Sequence, residues 1–311
     1  MATTVCATVR EAGLDQFYTI PTIAETCIKH VGDRYPWSNW GLVVEPSAGN
    51  GSFLLQIPTE KRIGIDLSPQ HPDIIRQDFF EYTPPHMEAP ILVIGNPPFG
   101  RICSLAIRFF QHAVQWADVI AFIVPRTFRR VSVHNKLPRS LHLVWDEDIP
   151  SEPCSFDPPM AAKCCFQIWQ NRLDARPFIK LPTTHPDWEF MRLGPCLSAV
   201  SSVSTLTDGP KDTHGQPTSP IGADFAIRAY GGACGESVET GLENLCPKSW
   251  HWIIARIDRT VLRNRFQSLD YTVSQDTARQ NSIGKGELVR LYSNAFSHGA
   301  LVDPVEKSTK K

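Results

Sequence analysis

Between Leu42 and Val124 four short apolar runs, LVVE, RIGID, ILVIG and VIAFIV, punctuate the chain. Each is rich in Val or Ile, too short for a helix, and apolar apart from charged residues at its ends. A strand covered on both sides reads this way, so the pattern implies a parallel sheet flanked by helices. Between the third and fourth runs, SLAIRFFQHAVQWA (Ser104 to Ala117) sets Leu105, Ile107, Phe109, Phe110, Ala113 and Trp116 mostly at helical spacing. That segment is expected to cover one face of the sheet.

Two further apolar segments, SLHLVWD and AKCCFQIWQ, flank the Pro-rich stretch EDIPSEPCSFDPPM, which must be a loop. Such a pair can close the sheet with an antiparallel edge. The expected fold is therefore α/β, a Rossmann-like doubly wound seven-stranded sheet with one antiparallel edge strand and a smaller C-terminal lobe. The core domain is expected over 1–175. Residues 198–222, rich in Ser, Thr, Pro and Gly, read as a flexible linker. Order signals return in DFAIRAYGG, WHWIIARI and a helix near Val261 to Leu269, so 223–311 is expected to form the lobe, with target recognition as its role.

Composition narrows the function classes. With 31 Lys plus Arg against 32 Asp plus Glu the formal charge is -1, so any nucleic-acid contact must come from a local basic patch. The nine cysteines include adjacent Cys164 and Cys165 but no C-x-x-C pair, so neither a disulfide framework nor a metal site is expected. No apolar run reaches membrane-spanning length, and the first residues lack the layout of a secretory signal. An intracellular, soluble protein is expected.

The chemistry sits at the ends of the apolar runs. LVVEPSAGNGSF passes from a strand through Glu45 and a turn containing Ala48, Gly49 and Gly51 towards an expected helix start. Glycines there let backbone approach a ligand closely. RIGIDLSP ends in Asp66, followed by Leu67, about twenty residues on, where a doubly wound sheet places a carboxylate for ribose hydroxyls. The turn is not G-x-G-x-x-G and lacks the Lys of a P-loop, which argues against a pyrophosphate ligand. A nucleoside with a zwitterionic tail suits it better, because Glu45 could face a cationic amine or sulfonium. S-adenosylmethionine is such a ligand. In QDFFEY, Asp78 is suited to accept from an exocyclic amine and Phe79 to pack on a purine.

ILVIGNPPFG runs an apolar strand straight into Asn96, Pro97, Pro98 and Phe99. The prolines fix φ and remove two donors, leaving carbonyls on a stiff segment. An amine on a planar ring is a poor nucleophile because its lone pair is delocalised. Accepting both N–H bonds with the Asn96 oxygen and the Pro97 carbonyl would localise that pair, and Phe99 offers a face for the ring. Basic clusters follow: Arg126, Arg129 and Arg130 in IVPRTFRR, and Arg256, Arg259 and Arg263 along RIDRTVLRNRF, all candidates for phosphate contacts.

Over roughly Asp15 to Arg172, EPSAGNG, GIDLSP, QDFF and NPPF resemble, in order, motifs I to IV of the class I S-adenosylmethionine-dependent amino-methyltransferases. The preceding DQFYTIPTIAETCI resembles the segment that packs over the methionine part of the cofactor in adenine-N6 DNA methyltransferases, with Tyr18 and Thr19 in the matching places and Ile20 inserted before Pro21. The motif order resembles the γ arrangement of that group. The resemblance implies methyl transfer to adenine N6 in nucleic acid, DNA favoured over RNA. The alternatives are an RNA amino-methyltransferase, a protein-glutamine methyltransferase and a non-catalytic partner subunit of the same fold.

Overall fold

The computed structural model describes residues 17–191, 220 and 222–296. The expected linker, 198–222, lies outside the described residues except at 220 and 222. By internal contacts the chain divides into two units, Met1–Ile179 with Asp276–Arg279, and Lys180–Gln275 with Gln280–Lys311.

The first unit is built on seven strands: β1 (Leu42–Pro46), β2 (Arg62–Asp66), β3 (Ile74–Arg76), β4 (Ile91–Gly95), β5 (Val119–Pro125), β6 (Leu141–Asp148) and β7 (Cys164–Asn171). They lie in the order β3-β2-β1-β4-β5-β7-β6. The pairs from β3 to β5 are parallel, whereas β7 runs antiparallel to both β5 and β6. This is the seven-stranded, doubly wound sheet expected from the sequence, its antiparallel edge made by the pair across the Pro-rich loop. The order reverses between β1 and β4, and at such a switch point neighbouring loops diverge and leave a crevice at the strands' carboxyl ends.

Alternation along the strands explains why successive residues of the runs are apolar. Val44, Val93, Ile120 and Phe122 face one core together with Ile107, Phe109 and Phe110 of helix α2 (Ser104–Ala113). Val43, Leu92, Ala121 and Ile123 face the opposite core with Ala24, Cys27 and Val31 of helix α1 (Pro21–Gly32). Helix α1 starts with Pro21 at its first position, where the missing N–H costs nothing, and carries Lys29 and His30 in its last turn, where cations favour the dipole.

One expectation is corrected. No α-helix follows the glycine turn; Leu54–Gln56 makes a single 3-10 turn. Pro58 is the cause: the residue before a proline is driven from helical to extended backbone, and Ile57 has φ -103° and ψ 141°. The turn therefore does not offer a ligand the N-terminus of a full helix.

The second unit contains a four-stranded antiparallel sheet of β8 (Trp188–Phe190), β9 (Phe225–Arg228), β10 (Ser237–Val238) and β11 (Trp250–Ala255), ordered β8-β11-β9-β10. Helices α3 (Arg259–Gln267) and α4 (Lys285–Phe296) contribute Leu262, Phe266, Leu288 and Tyr292 to a core shared with Trp188, Phe225 and Ile253. Asp258 caps α3 by accepting from the Val261 N–H at 2.9 Å.

Candidate functional site

The loops leaving the carboxyl ends of β1 to β5 open into one cleft of about 990 Å³. Its wall includes Ser47 and Gly49 after β1, Asp66 and Leu67 at the end of β2, Asp78 to Phe80 after β3, Asn96 to Cys103 after β4, and Pro125 and Thr127 at the end of β5. The sheet order alone brings these segments together, since β3, β2, β1, β4 and β5 are consecutive neighbours.

At the β1 turn, Gly49 has φ 54°, a left-handed conformation that disfavours a side chain. A Cβ added there would sit 2.7 Å from Cε1 of Tyr18, so that ring rests directly on the glycine. Asp66 ties the turn to β2: its Oδ2 accepts from the Gly49 N–H at 2.8 Å and its Oδ1 from Ser68 N–H at 2.7 Å. Burial first, then the nearby Asp66 carboxylate, raises the Tyr18 phenol above its ordinary pKa.

Asp78 Oδ1 accepts from Phe80 N–H at 2.9 Å and caps a 3-10 turn over Phe79–Glu81. Phe79 stacks on Phe109 with ring centroids 5.0 Å apart, while Arg108 lies 4.3 Å above the Phe80 ring. Both phenylalanines reach the cleft wall.

Tyr18–Thr19 pairs antiparallel with Phe156–Asp157, which carries the segment ahead of α1 across to the cleft. There the Asn96 Nδ2 donates to the Phe17 carbonyl at 3.2 Å. That bond fixes which end of the amide is committed and leaves Oδ1 without a protein donor among the described residues. The loop then bends sharply: Gly100, Ile102 and Cys103 all have positive φ. For a β-branched residue such as Ile102 this is strained backbone, a feature that concentrates at ligand sites. Burial pushes the Cys103 thiol up to about 11, so it is not a thiolate nucleophile at neutral pH.

The structure thus gathers Tyr18, Gly49, Asp66, Leu67, Asp78, Phe79, Asn96, Pro97, Pro98 and Phe99 around one cleft. Thr19, Glu45, Ala48 and Gly51 are not in its wall. Glu45 is buried, and its Oε2 accepts from Leu54 N–H at 2.7 Å. Burial raises its pKa well above the carboxylate range, with backbone donors from Leu54 and Phe53 opposing. It braces the turn from behind. Thr19 accepts the Ser52 hydroxyl on its carbonyl, and Ala48 packs with Leu54 and Ile74.

The basic residues are largely engaged. Arg129 binds Asp146, Asp148 and Asp276, and Arg126 pairs with Asp148 at 2.9 Å. Arg130 is buried and donates to the Asp276 carbonyl at 2.7 Å. In the second unit Arg256 pairs with Glu189, while Arg259 and Arg263 share Glu239. The sequence reading missed Arg101 and Arg279, which line the cleft itself. Arg101 was legible as the residue following NPPFG; Arg279 had no local signal, because only tertiary structure returns Asp276–Arg279 to the first unit.

Among the described residues no cluster of His, Cys, Asp and Glu is arranged to hold a metal ion, and no helix is long and apolar enough to cross a membrane. No protein-family model matches the chain, and no curated protein does. Solved structures similar to it include a Pyrococcus horikoshii protein assigned as an RNA methyltransferase, with 16% identity, 53% of this chain and 91% of that chain covered, and a TM-score of 0.38. The N-methyltransferase NodS of Bradyrhizobium japonicum has 12% identity, 48% and 94% coverage, and a TM-score of 0.35. Magnesium protoporphyrin IX methyltransferase of Synechocystis has 11% identity, 48% and 78% coverage, and a TM-score of 0.33.

Proposed function

We propose that the chain is an S-adenosylmethionine-dependent methyltransferase acting on the exocyclic N6 amine of adenine in nucleic acid, with DNA as the favoured polymer. One observation carries the reading: Asn96, Pro97, Pro98 and Phe99 line the same cleft as Gly49, Asp66 and Asp78, with the Asn96 amide nitrogen already committed to Phe17.

The cleft residues fit the cofactor. Gly49 leaves backbone bare beneath the Tyr18 ring, Asp66 and Asp78 supply carboxylates for hydroxyl and amine donors, and Phe79 and Phe80 supply apolar surface for a purine. Bound there, S-adenosylmethionine supplies an electrophilic methyl group on a sulfonium.

The chain's own residues prepare the acceptor. Asn96 Oδ1 and the Pro97 carbonyl accept the two N–H bonds of the amine, which draws its lone pair out of the ring and aims it at the methyl donor. Pro97 and Pro98 hold φ fixed, so these acceptors are placed before the base arrives and need little reorganisation. Phe99 stacks on the ring, an interaction worth about 1–3 kcal/mol for a base on an aromatic side chain. The methylated nitrogen loses its extra proton to solvent, so no ionised base is required beforehand. A base within a duplex must leave the stack to reach Asn96.

The test is transfer of labelled methyl from S-adenosylmethionine to duplex DNA, single-stranded DNA, structured RNA and a protein extract. Label in DNA that digests to N6-methyladenine supports the reading. Label only in RNA moves the polymer, label only in protein moves the acceptor to a carboxamide, and no label anywhere contradicts an enzymatic role.

A further inference from the structure

Four charged residues line the cleft, Asp66, Asp78, Arg101 and Arg279. The carboxylates belong to the β2 and β3 ends, and Asp66 is already tied to the Gly49 and Ser68 backbone. The two guanidiniums come from elsewhere. Arg101 follows the Asn96–Gly100 segment, and Arg279 closes the short strap Asp276–Arg279, which joins the first unit from far along the sequence.

The strap is fastened along its length. Arg129 donates to Asp276 Oδ1 at 3.3 Å, Arg130 Nε to the Asp276 carbonyl at 2.7 Å, and the Lys163 N–H to the Ala278 carbonyl at 2.8 Å. Arg129 is itself anchored to Asp146 and Asp148 of β6. The arginines after β5 that the sequence suggested as phosphate contacts are thus engaged in holding carboxylates and backbone. What the strap delivers is a different arginine. Arg279 is exposed, as is Arg101, and neither guanidinium makes a hydrogen bond or ion pair with any described residue.

We propose that Arg101 and Arg279 bind backbone phosphates of the polynucleotide that carries the acceptor base into the cleft. This rests on the reading of the cleft as a site of methyl transfer to a nucleobase. Neither a free base nor a glutamine side chain carries an anion for two unpaired guanidiniums, whereas a strand threaded past Phe99 has a phosphate on each side of its base. Guanidinium presents a fork of donors that matches phosphate oxygens, and a fastened strap loses little backbone freedom when it binds. The reach across sequence has a purpose in this account: it sets a second cation on the acceptor's cleft that β4 and its loop alone do not supply.

The experiment measures binding of the full chain to a labelled mixed-sequence oligonucleotide, as single-stranded DNA and as RNA, across a salt series. Wild type, Arg101→Gln, Arg279→Gln, the double variant and Arg279→Lys are compared, with thermal melting as the control for folding. Each lost phosphate contact should make the slope of log affinity against log salt shallower by about 0.7 on a single strand. The double variant should lose about twice that, and Arg279→Lys should keep the wild-type slope because the charge is retained. The polymer on which the variants change the slope more is the one the arginines serve. A double variant with the wild-type slope overturns the proposal, as does a wild type whose binding is insensitive to salt. Methyl transfer by wild type is measured alongside. Transfer with an unchanged variant slope removes only the phosphate assignment, whereas a changed slope without transfer keeps the phosphate contacts and removes the catalytic reading.

Discussion

Replacing Gly49 by alanine should damage the proposed cofactor half of the cleft more than one methyl group suggests. Two effects act together. Gly49 has φ 54°, and holding an L-residue in left-handed backbone costs about 1–2 kcal/mol. The added Cβ would also lie 2.7 Å from Cε1 and 2.8 Å from Cδ1 of Tyr18, closer than carbon atoms can approach, so the ring must swing off the turn. Backbone strain alone predicts a melting temperature lower by a few degrees, at roughly 2–4 °C per kcal/mol for a domain of this size. If the same strain appears in binding, affinity for S-adenosylmethionine falls by about 5- to 30-fold. Calorimetric titration and thermal melting of Gly49→Ala read both. A double-mutant cycle with Tyr18→Ala separates them: with the ring gone, the steric part of the loss should vanish and the backbone part should remain. A Gly49→Ala variant that melts and binds like wild type would refute the assignment of this turn as a close-approach surface.

Glu45→Gln should leave stability nearly unchanged, because an amide oxygen can still accept the Leu54 N–H, while Glu45→Ala orphans that buried donor and should cost about 1–3 kcal/mol in urea unfolding. Arg129→Ala removes the cation shared by Asp146, Asp148 and Asp276, leaving Asp148 only Arg126, and should destabilise by about 3 kcal/mol, read by the same method. His134 is pushed down to about 4 from 6.5, chiefly by burial and secondarily by Arg176. The unfolded chain therefore takes up this proton first as pH falls. Its contribution to stability is complete above about pH 6.5 and is lost towards pH 4. His134→Gln should narrow the gap between unfolding midpoints at the two ends of that window, leaving the smaller dependence of His185 and His251, whose pKa values are also lowered by burial.

Much of the sheet is written locally, since strands buried on both faces must be apolar between their ends; RIGID and ILVIG coincide with β2 and β4 end to end. Strand β3 escapes such a reading because it has three residues and its Ile75 is exposed, leaving no run to detect. The glycine turn is legible, and Pro58, also in plain view, is what keeps the following turn from extending into a helix. In the cleft, the Asn96–Phe99 segment was visible because Asn, two prolines and Phe follow a strand without interruption. The strap was not, because nothing in DTAR distinguishes it from any polar loop; its place depends on Arg129 and Arg130, over a hundred residues earlier, finding Asp276. Glu45 shows the converse limit. Its position at the end of β1 suggests a ligand, and only the hydrogen bond to Leu54 shows that it faces the turn's own backbone.

If Asn96 positions an amine for methyl transfer, as proposed, single-turnover transfer to adenine-containing DNA by Asn96→Ala will show it. With S-adenosylmethionine affinity measured on the same variant, the rate should fall by about 10²–10³, the scale for losing one preorganised hydrogen-bonding group, with cofactor binding retained. Transfer at the wild-type rate would contradict it.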